Sequence, residues 1–536
     1  MMLNPRLMRG VLGAMLLAGC AGSGATASEG ESAGAAGALP GAGGASAFGG
    51  MVTAAGGQSP AAGGTAVVSS AGGPAGSVSG TTGITSGNGG VGSSSGAVAG
   101  SGGIGAAGSA GTGAGSGGAS GSANAGGGSG GASGSANAGA GSGGASGSAN
   151  AGAGSGGVTP GGTHWVGTWT AAQYPVSAND RPPSALSNSV LRQVTHVSLG
   201  GSRIRVQFSN VSGNGAVNIK SAHVALCKAV PAVDSTIDVA TDTALTFSGT
   251  TSITIERGQE VWSDPLDFAL PALGNLSITT AFGSVPSNLT GHAGSRTTSY
   301  QQSGSSDVSM ASMASAQKTD HWYYIGGIDV LSDSAKAVVA IGDSITDGRG
   351  TDTNKNNRWT DILAARLQAN TATKNVAVMN QGIGATTLVG SGGTAGEARF
   401  ARDVLGRSAV KYAIVYHGVN DIGGNATFAA MKGAYDRMIA AAHAKGVLIY
   451  GGTILPFGGS GYYSAAHESV RKQVNAYIKS GAFDGYVDFD AAVTDNGNPP
   501  KLLTTYATWA QTDWLHPGPA GYQKMGATAE LTLFTK

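Results

Sequence analysis

Apolar residues are laid along this chain in three rhythms. Up to about Gly162 they are nearly absent after the first twenty residues, and Gly, Ala and Ser fill the stretch. From His164 to about Val330 they alternate with polar ones. Val190 to Leu199 alternates, Gly200-Gly201 supplies a turn, and Arg203 to Phe208 follows with strict period two. Further strands are predicted at Val217 to Ile219, Ala222 to Leu226, Ser252 to Glu256 and Leu276 to Ala281. No helical period of useful length interrupts them, so this segment predicts an all-β sandwich of jelly-roll type.

After Val330 the rhythm changes to short, solid apolar runs separated by helical spacing. Val338 to Ile341, Val376 to Met379, Tyr412 to Tyr416, Val447 to Tyr450 and Tyr486 to Phe489 read as five strands. Between them Trp359, Ile362, Leu363 and Leu367 recur at helical intervals, and Thr427 to Lys445 reads as a helix stopped by Gly446. Ser464 to Lys479 and Ala520 to Leu533 are the remaining helices. Alternation of this kind predicts an α/β fold with a parallel sheet covered on both faces. Functional sites in such sheets form at the carboxyl ends of strands. Ser344, Ala385 and Asn420 each follow an apolar strand, so they can converge.

Composition trims the 536 residues to fewer folded ones. Of the 95 glycines many lie between Ala21 and Gly162, where there is too little apolar surface to offset the entropy of ordering. The unit beginning Ser116-Gly117-Gly118-Ala119-Ser120 recurs from Ser129 and Ser142 with no face to stack, which predicts a disordered tether rather than a solenoid. A coil of about 140 residues reaches roughly 60–70 Å. Gly127-Gly128-Ser129-Gly130-Gly131 matches a nucleophile elbow only formally, since no strand precedes it. At the start, Arg6 and Arg9 precede the apolar run Val11 to Leu17 and then Leu17-Ala18-Gly19-Cys20. This is the pattern of a signal peptide, and its end resembles the lipobox of bacterial lipoproteins, which implies lipidation of Cys20 and attachment to a membrane. The predicted segments are a leader at 1–20, a tether at 21–162, a β-sandwich at 163–330 and an α/β domain at 331–536.

Lysine plus arginine (30) balances aspartate plus glutamate (29), and no basic tract appears, which sets nucleic acid aside as a partner. The two cysteines, Cys20 and Cys227, give neither a zinc spacing nor a plausible structural disulfide, and Cys227 reads as a buried, inert thiol. His467-Glu468 does not extend to a zinc-binding H-E-x-x-H, so no metal is expected.

The chemistry-bearing residues fall at strand ends. Ser344, in Gly342-Asp343-Ser344, is the candidate nucleophile; Asp513-Trp514-Leu515-His516 offers an acid and a base three residues apart. The amide of Ser344, a backbone amide at Gly384-Ala385 and the side chain of Asn420 are the candidate oxyanion donors. These pieces, with Asn380-Gln381-Gly382-Ile383-Gly384-Ala385 and Gly418-Val419-Asn420-Asp421, resemble four sequence blocks of the SGNH (GDSL) hydrolases, in order, from Ala337 to the carboxyl terminus. The resemblance implies a flavodoxin-like sheet, a shallow site, a Ser-His-Asp triad of Ser344, His516 and Asp513, and no cofactor. Where the second block often has glycine this chain has Ala385, which predicts a negative φ there if the donor is kept, with Gly384 the alternative. Trp165 to Thr170 and Leu191-Arg192-Gln193 are similar to the amino-terminal module of xylan-esterase-like arylesterases.

The expectation is a surface-anchored, exported bacterial lipoprotein of the outer membrane or cell surface, hydrolysing acyl and above all acetyl esters on polysaccharide. The residues leave open a lipase or arylesterase acting on lipid or small esters, and a non-catalytic glycan-binding lipoprotein. Trp165 and Trp169 suit either a sugar platform or a core, Trp514 either a pocket wall or a buried wedge, and His417 either substrate contact or a structural place.

Overall fold

The structure, a computed structural model, describes residues 162–228, 234–507 and 512–536. The expectations for the leader with Cys20, and for the tether as far as residue 161, lie outside these residues.

Up to Ser332 the described chain is built from antiparallel strands. The principal ones are β1 (His164–Thr170), β2 (Ser189–His196), β3 (Gly201–Ser209), β4 (Val217–Leu226), β5 (Asn275–Phe282), β6 (Thr290–His292) and β7 (Ile325–Ser332). One sheet runs β1-β7-β3, with Glu260–Trp262 and Leu266–Leu270 along the far side of β3. A second carries Gln317–Thr319, Ser299–Ser303, β2, β5 and β4 in that order, with Thr243–Ala244 and Ile253–Ile255 along β4. A small third sheet places β6 between Trp322–Tyr323 and Tyr174–Pro175.

The period-two pattern explains the core. Ile204, Val206 and Phe208 of β3 are fully buried, as are Val217, Ile219 and Val224 of β4 and Leu276 and Ile278 of β5, and all join one apolar cluster. The two strands expected at Val217 to Ile219 and Ala222 to Leu226 are one. Pairing with β5 slips by a residue between Ser221 and Ile219, a bulge at Lys220 that moves the buried face from odd to even positions. In sequence that slip looks like a break.

Beyond Ser332 the pattern becomes α/β. The elements are β8 (Lys336–Gly342), α1 (Ser344–Asp347), α2 (Trp359–Ala369), β9 (Val376–Gly382), β10 (Val410–Tyr416), α3 (Phe428–His443), β11 (Leu448–Gly452), α4 (Ala465–Lys479), β12 (Gly485–Val487) and α5 (Pro519–Thr528). The five strands are parallel, in the order β9-β8-β10-β11-β12. Helix starts follow from caps: the side chain of Thr427 accepts from the Ala430 amide, and that of Ser464 from His467. Strand β12 stops two residues short of the expected Phe489, because Asp488 caps a helical turn that buries Phe489. The last helix ends at Thr528 instead of continuing to Leu533, as Arg366 takes the carbonyls of Gly526 (2.8 Å) and Ala529 (2.7 Å).

Strand β9 is an edge of the parallel sheet, and the all-β region covers it. The Val378 amide donates to Ser198 Oγ at 2.9 Å and Thr170 Oγ1 donates to the Asn380 carbonyl at 3.3 Å. Gly167 of β1 sits so close that a Cβ there would meet Met379 Sδ at 2.3 Å. The seam continues where Asp329 of β7 accepts from Arg205 Nε at 2.9 Å and from Ser408 Oγ at 2.7 Å.

Candidate active site

Strand β8 ends at Gly342, where only glycine fits: a Cβ would lie 2.1 Å from Thr346 Oγ1 and 2.5 Å from the Tyr416 carbonyl. The chain turns at once into α1. Asp343 caps that helix, its carboxylate accepting from the Ile345 amide at 3.0 Å, and Ser344 is its first residue. Burial, with Asp421 and Asp347 nearby, pushes the Asp343 carboxyl up to about 7. Below this turn the buried guanidinium of Arg399 donates to the carbonyls of Gly342 (2.9 Å) and Gln381 (2.6 Å), tying together the carboxyl ends of β8 and β9.

The loop before α5 brings the imidazole. Asp513 accepts from the amides of Leu515 (3.0 Å) and His516 (2.9 Å) with one oxygen and from His516 Nδ1 (2.6 Å) with the other. Nδ1 therefore carries the proton, and Nε2 is left to accept from Ser344 Oγ at 2.8 Å. Ser344, Asp513 and His516 are thus brought into one hydrogen-bonded line across 172 residues of sequence between serine and histidine. Burial lowers the proton affinity of His516 and Asp513 raises it again; Arg349 and Arg296 lower it further, and the balance stays below the ordinary value. Asp513, despite burial, is held below the usual carboxylate range by the His516 amide and ring and the Leu515 amide. Ser344 and His516 are 7% and 6% exposed, so the pair is largely dry yet not sealed from solvent.

The turn after β9 comes next to Ser344. A Cβ at Gly384 would lie 4.0 Å from Ser344 Cβ and 3.6 Å from Asp347 Oδ2. Ala385 has φ +60°, which corrects the expected negative φ: alanine itself takes the left-handed conformation that glycine adopts freely. The Asn420 amide nitrogen donates to the Thr386 carbonyl at 2.9 Å, which uses one of its two hydrogens, while its oxygen accepts from Tyr462 OH at 3.1 Å. Tyr462 and the Thr386 carbonyl together fix which end of the amide is oxygen and which nitrogen. Asp421 secures the same turn by accepting from the amides of Leu388 (2.7 Å) and Val389 (2.9 Å).

Sequence reasoning missed the wall that the all-β region contributes. His292 of β6 places Nδ1 on the Ala172 carbonyl and Nε2 on Asp347 Oδ1, both at 2.9 Å. Arg358 donates from Nε to the Asp347 carbonyl at 2.9 Å and from a terminal nitrogen to the carbonyls of Gly294 and Ser295. The Asn354 amide donates to the Arg296 carbonyl at 2.9 Å. None of these residues sits in a motif or a period; Asp347, three residues after Ser344, was the only visible clue.

Other expectations resolve by burial. His417 is 1% exposed, beside Arg399 and away from solvent, which settles it as structural. Trp169 packs edge-on against Trp322 and is a core residue, while the half-buried Trp165 lies under the Arg205 guanidinium. Trp514 is half-buried with φ +57°, against Gly459 and under the Lys501 ammonium. His467 is occupied by the Tyr462 carbonyl and Asn425. Cys227 is buried, and burial pushes its thiol up to about 12.

Residues 340–524 match the model of the GDSL-like lipase/acylhydrolase family, a span that contains Ser344, Ala385, Asn420, Asp513 and His516. Among solved structures the chain is similar to a G-D-S-L family lipolytic protein from Desulfitobacterium hafniense, at 23% identity over 36% of this chain and 97% of that one, with a TM-score of 0.29. It is similar to a GDSL-like lipase from Bacteroides thetaiotaomicron at 21% identity, over 36% and 85%, with a TM-score of 0.28. A catalytic mutant of an acetylxylan esterase from Geobacillus stearothermophilus matches at 19% identity, over 36% and 92%, with a TM-score of 0.29. No curated protein matches the chain.

Proposed function

We propose a substrate and a catalytic route for this chain, which is an ester hydrolase of the SGNH (GDSL) type. The enzyme removes small acyl groups, acetyl above all, from polysaccharide outside the cell. The observation that carries the route is the line from Ser344 Oγ through the His516 ring to Asp513, at 2.8 and 2.6 Å. Ser344 attacks the acyl carbonyl as His516 Nε2 takes its proton; Asp513 holds the imidazole in the tautomer this requires and stabilises the cation that forms. The negative oxygen of the tetrahedral intermediate is received by the amide of Ser344, by a backbone amide of the Gly384-Ala385 turn and by the free hydrogen of the Asn420 amide. His516 then protonates the leaving alcohol, and water, activated by the same imidazole, releases the acyl group from Ser344.

The wider reading assigns residues 1–20 to a lipoprotein leader cleaved before Cys20, 21–162 to a tether, 163–330 to a jelly-roll-like sandwich and 331–536 to the hydrolase. A lipid anchor at Cys20 and a long tether suit an insoluble polymer that the catalytic head must reach. What supports the leader is the basic, apolar and Leu17-Ala18-Gly19-Cys20 sequence; what supports the tether is its repeat. The test is acetate release from acetylated xylan against hydrolysis of long-chain 4-nitrophenyl esters by wild type and Ser344→Ala. Release of acetate by wild type alone is the expected result. Activity confined to long chains would replace the polysaccharide reading with a lipase, and equal activity of the variant would remove the nucleophile.

A further inference from the structure

We infer that Arg296, supplied by the all-β region, recognises a carboxylate on the sugar that bears the scissile ester, so that the substrate is an acylated sugar acid. The inference rests on the esterase reading above, in which the acyl group is small and any charged group therefore belongs to the alcohol.

The placement of Arg296 is enforced from both sides. Gly294 could carry no side chain, since a Cβ would lie 2.0 Å from the Asp347 carboxylate. The Arg296 carbonyl takes the Asn354 amide at 2.9 Å and the Thr298 amide donates to Asn354 Oδ1 at 2.8 Å, which fastens the loop to the hydrolase. Arg296 has φ +50°, a conformation that an arginine adopts only where its surroundings impose it.

The guanidinium so placed is underused. None of its nitrogens makes a hydrogen bond among the described residues, and Nε is buried without a partner. Its one ion-pair neighbour is Asp347 Oδ2 at 3.9 Å, beyond hydrogen-bond reach, and the other oxygen of Asp347 is already held by His292. The side chain is 31% exposed, so it faces solvent in part. It depresses the proton affinity of His516, and Arg349 does the same from the segment after α1. The remaining acids offer no balance: Asp513 is occupied by His516 and two amides, and Asp343 is buried beneath the nucleophile. A planar guanidinium with open donors, set against Asp347 at the end of the short helix that Ser344 begins, fits a planar carboxylate on the leaving alcohol.

The test compares kcat/KM of the full chain for methyl 3-O-acetyl-glucuronide, for its carboxyl methyl ester and for 4-nitrophenyl acetate. Wild type should favour the acid over its methyl ester by about tenfold, a charge-assisted contact's worth, and 0.5 M NaCl should shrink that ratio. Arg296→Met should bring the ratio to about one and Arg296→Lys should keep part of it, because a point charge replaces the fork. Equal rates of wild type on acid and ester, or an undiminished ratio in Arg296→Met, would overturn the inference while turnover of 4-nitrophenyl acetate left the esterase reading standing. No turnover of any of the three by wild type would overturn both. If the Met variant does not fold, the wild-type ratio and its loss in salt decide the matter alone.

Discussion

The all-β region meets the α/β region along two seams of opposite character. Along the edge of β9 itself the contacts are close and neutral, with Gly167 on Met379, Ser198 on the Val378 amide and Thr170 on the Asn380 carbonyl. Charge enters only farther along, where Asp329 takes Arg205 and Ser408. Beside α1 the contacts are charged and buried, with His292 on Asp347 and Arg358 reaching the carbonyls of Gly294 and Ser295. The first seam does what any open sheet edge requires, which is to give its amides and carbonyls partners. The second keeps charge out of water, which is costly unless each group is paired, and apolar packing would have held the regions together as well. Its location, on the helix that begins with Ser344, is therefore the informative part: one seam closes a sheet, the other borders the mouth of the proposed active site.

The sharpest separation of chemistry from architecture is Ser344→Ala, which should lower kcat for 4-nitrophenyl acetate by about 10⁴-fold or more. The side chain is small and leaves no buried charge behind, so the melting temperature should stay within about 1 °C in calorimetry. Breaking the mouth seam with His292→Ala should do both kinds of damage. It leaves the buried Asp347 carboxylate without its hydrogen-bonding partner, with only Arg296 at 3.9 Å nearby, a loss of about 3 kcal/mol in urea unfolding. Because Asp347 ends the helix that Ser344 begins, kcat/KM should fall about tenfold as well, a misplacement effect. Breaking the edge seam with Ser198→Ala removes the hydrogen bond from the buried Val378 amide and that to the Thr168 carbonyl, and should cost about 1–2 kcal/mol. There kcat should not move. If Ser198→Ala depressed turnover as much as His292→Ala, the two seams would not differ in kind.

How far the sequence could foresee this divides along the same line. The five parallel strands were legible because solid apolar runs of four or five residues announce strands buried on both faces, and Ser344, Asn420 and Ala385 follow such runs directly. Asp513 and His516 were legible because three residues is a fixed, local spacing. The wall around His292 and Arg296 was not, since it depends on a pairing between segments about fifty residues apart that no period records. The Ala385 backbone was misjudged for a related reason. Residue type gives a preference for φ, while the turn after β9 is held by Asp421 and Arg399 from elsewhere, and those contacts override it.

The mouth seam also sets a pH dependence. The proposed route needs neutral His516, and burial together with Arg349 and Arg296 holds its proton affinity below the ordinary 6.5. The neutral form is the one present above that lowered pKa, so kcat/KM should stay level as pH falls through 6.5 and decline only below it. Replacing Arg296 by Met removes one depressing charge, so the acidic limb should move to higher pH. A limb that stayed in place would detach Arg296 from the imidazole. No substitution along the edge seam should move it.

The smallest expected effect concerns the turn proposed to receive the oxyanion, which runs close to Asp347 of the mouth seam. Ala385 in the left-handed region costs about 1–2 kcal/mol relative to a residue at ease there. Glycine would relieve that cost but gains freedom in the unfolded chain worth about 0.5–1 kcal/mol. Ala385→Gly should thus stabilise the protein by only about 0.5 kcal/mol, or roughly 1–2 °C in melting temperature. The amide proposed to receive the oxyanion stays in the backbone either way, so kcat should remain within about twofold, far from the hundredfold that losing a donor brings. A large fall in kcat would mean that the alanine methyl, exposed at the tip of the turn, shapes the acyl pocket itself; a large gain would mean that the strained turn holds its amide off the oxygen it is meant to meet.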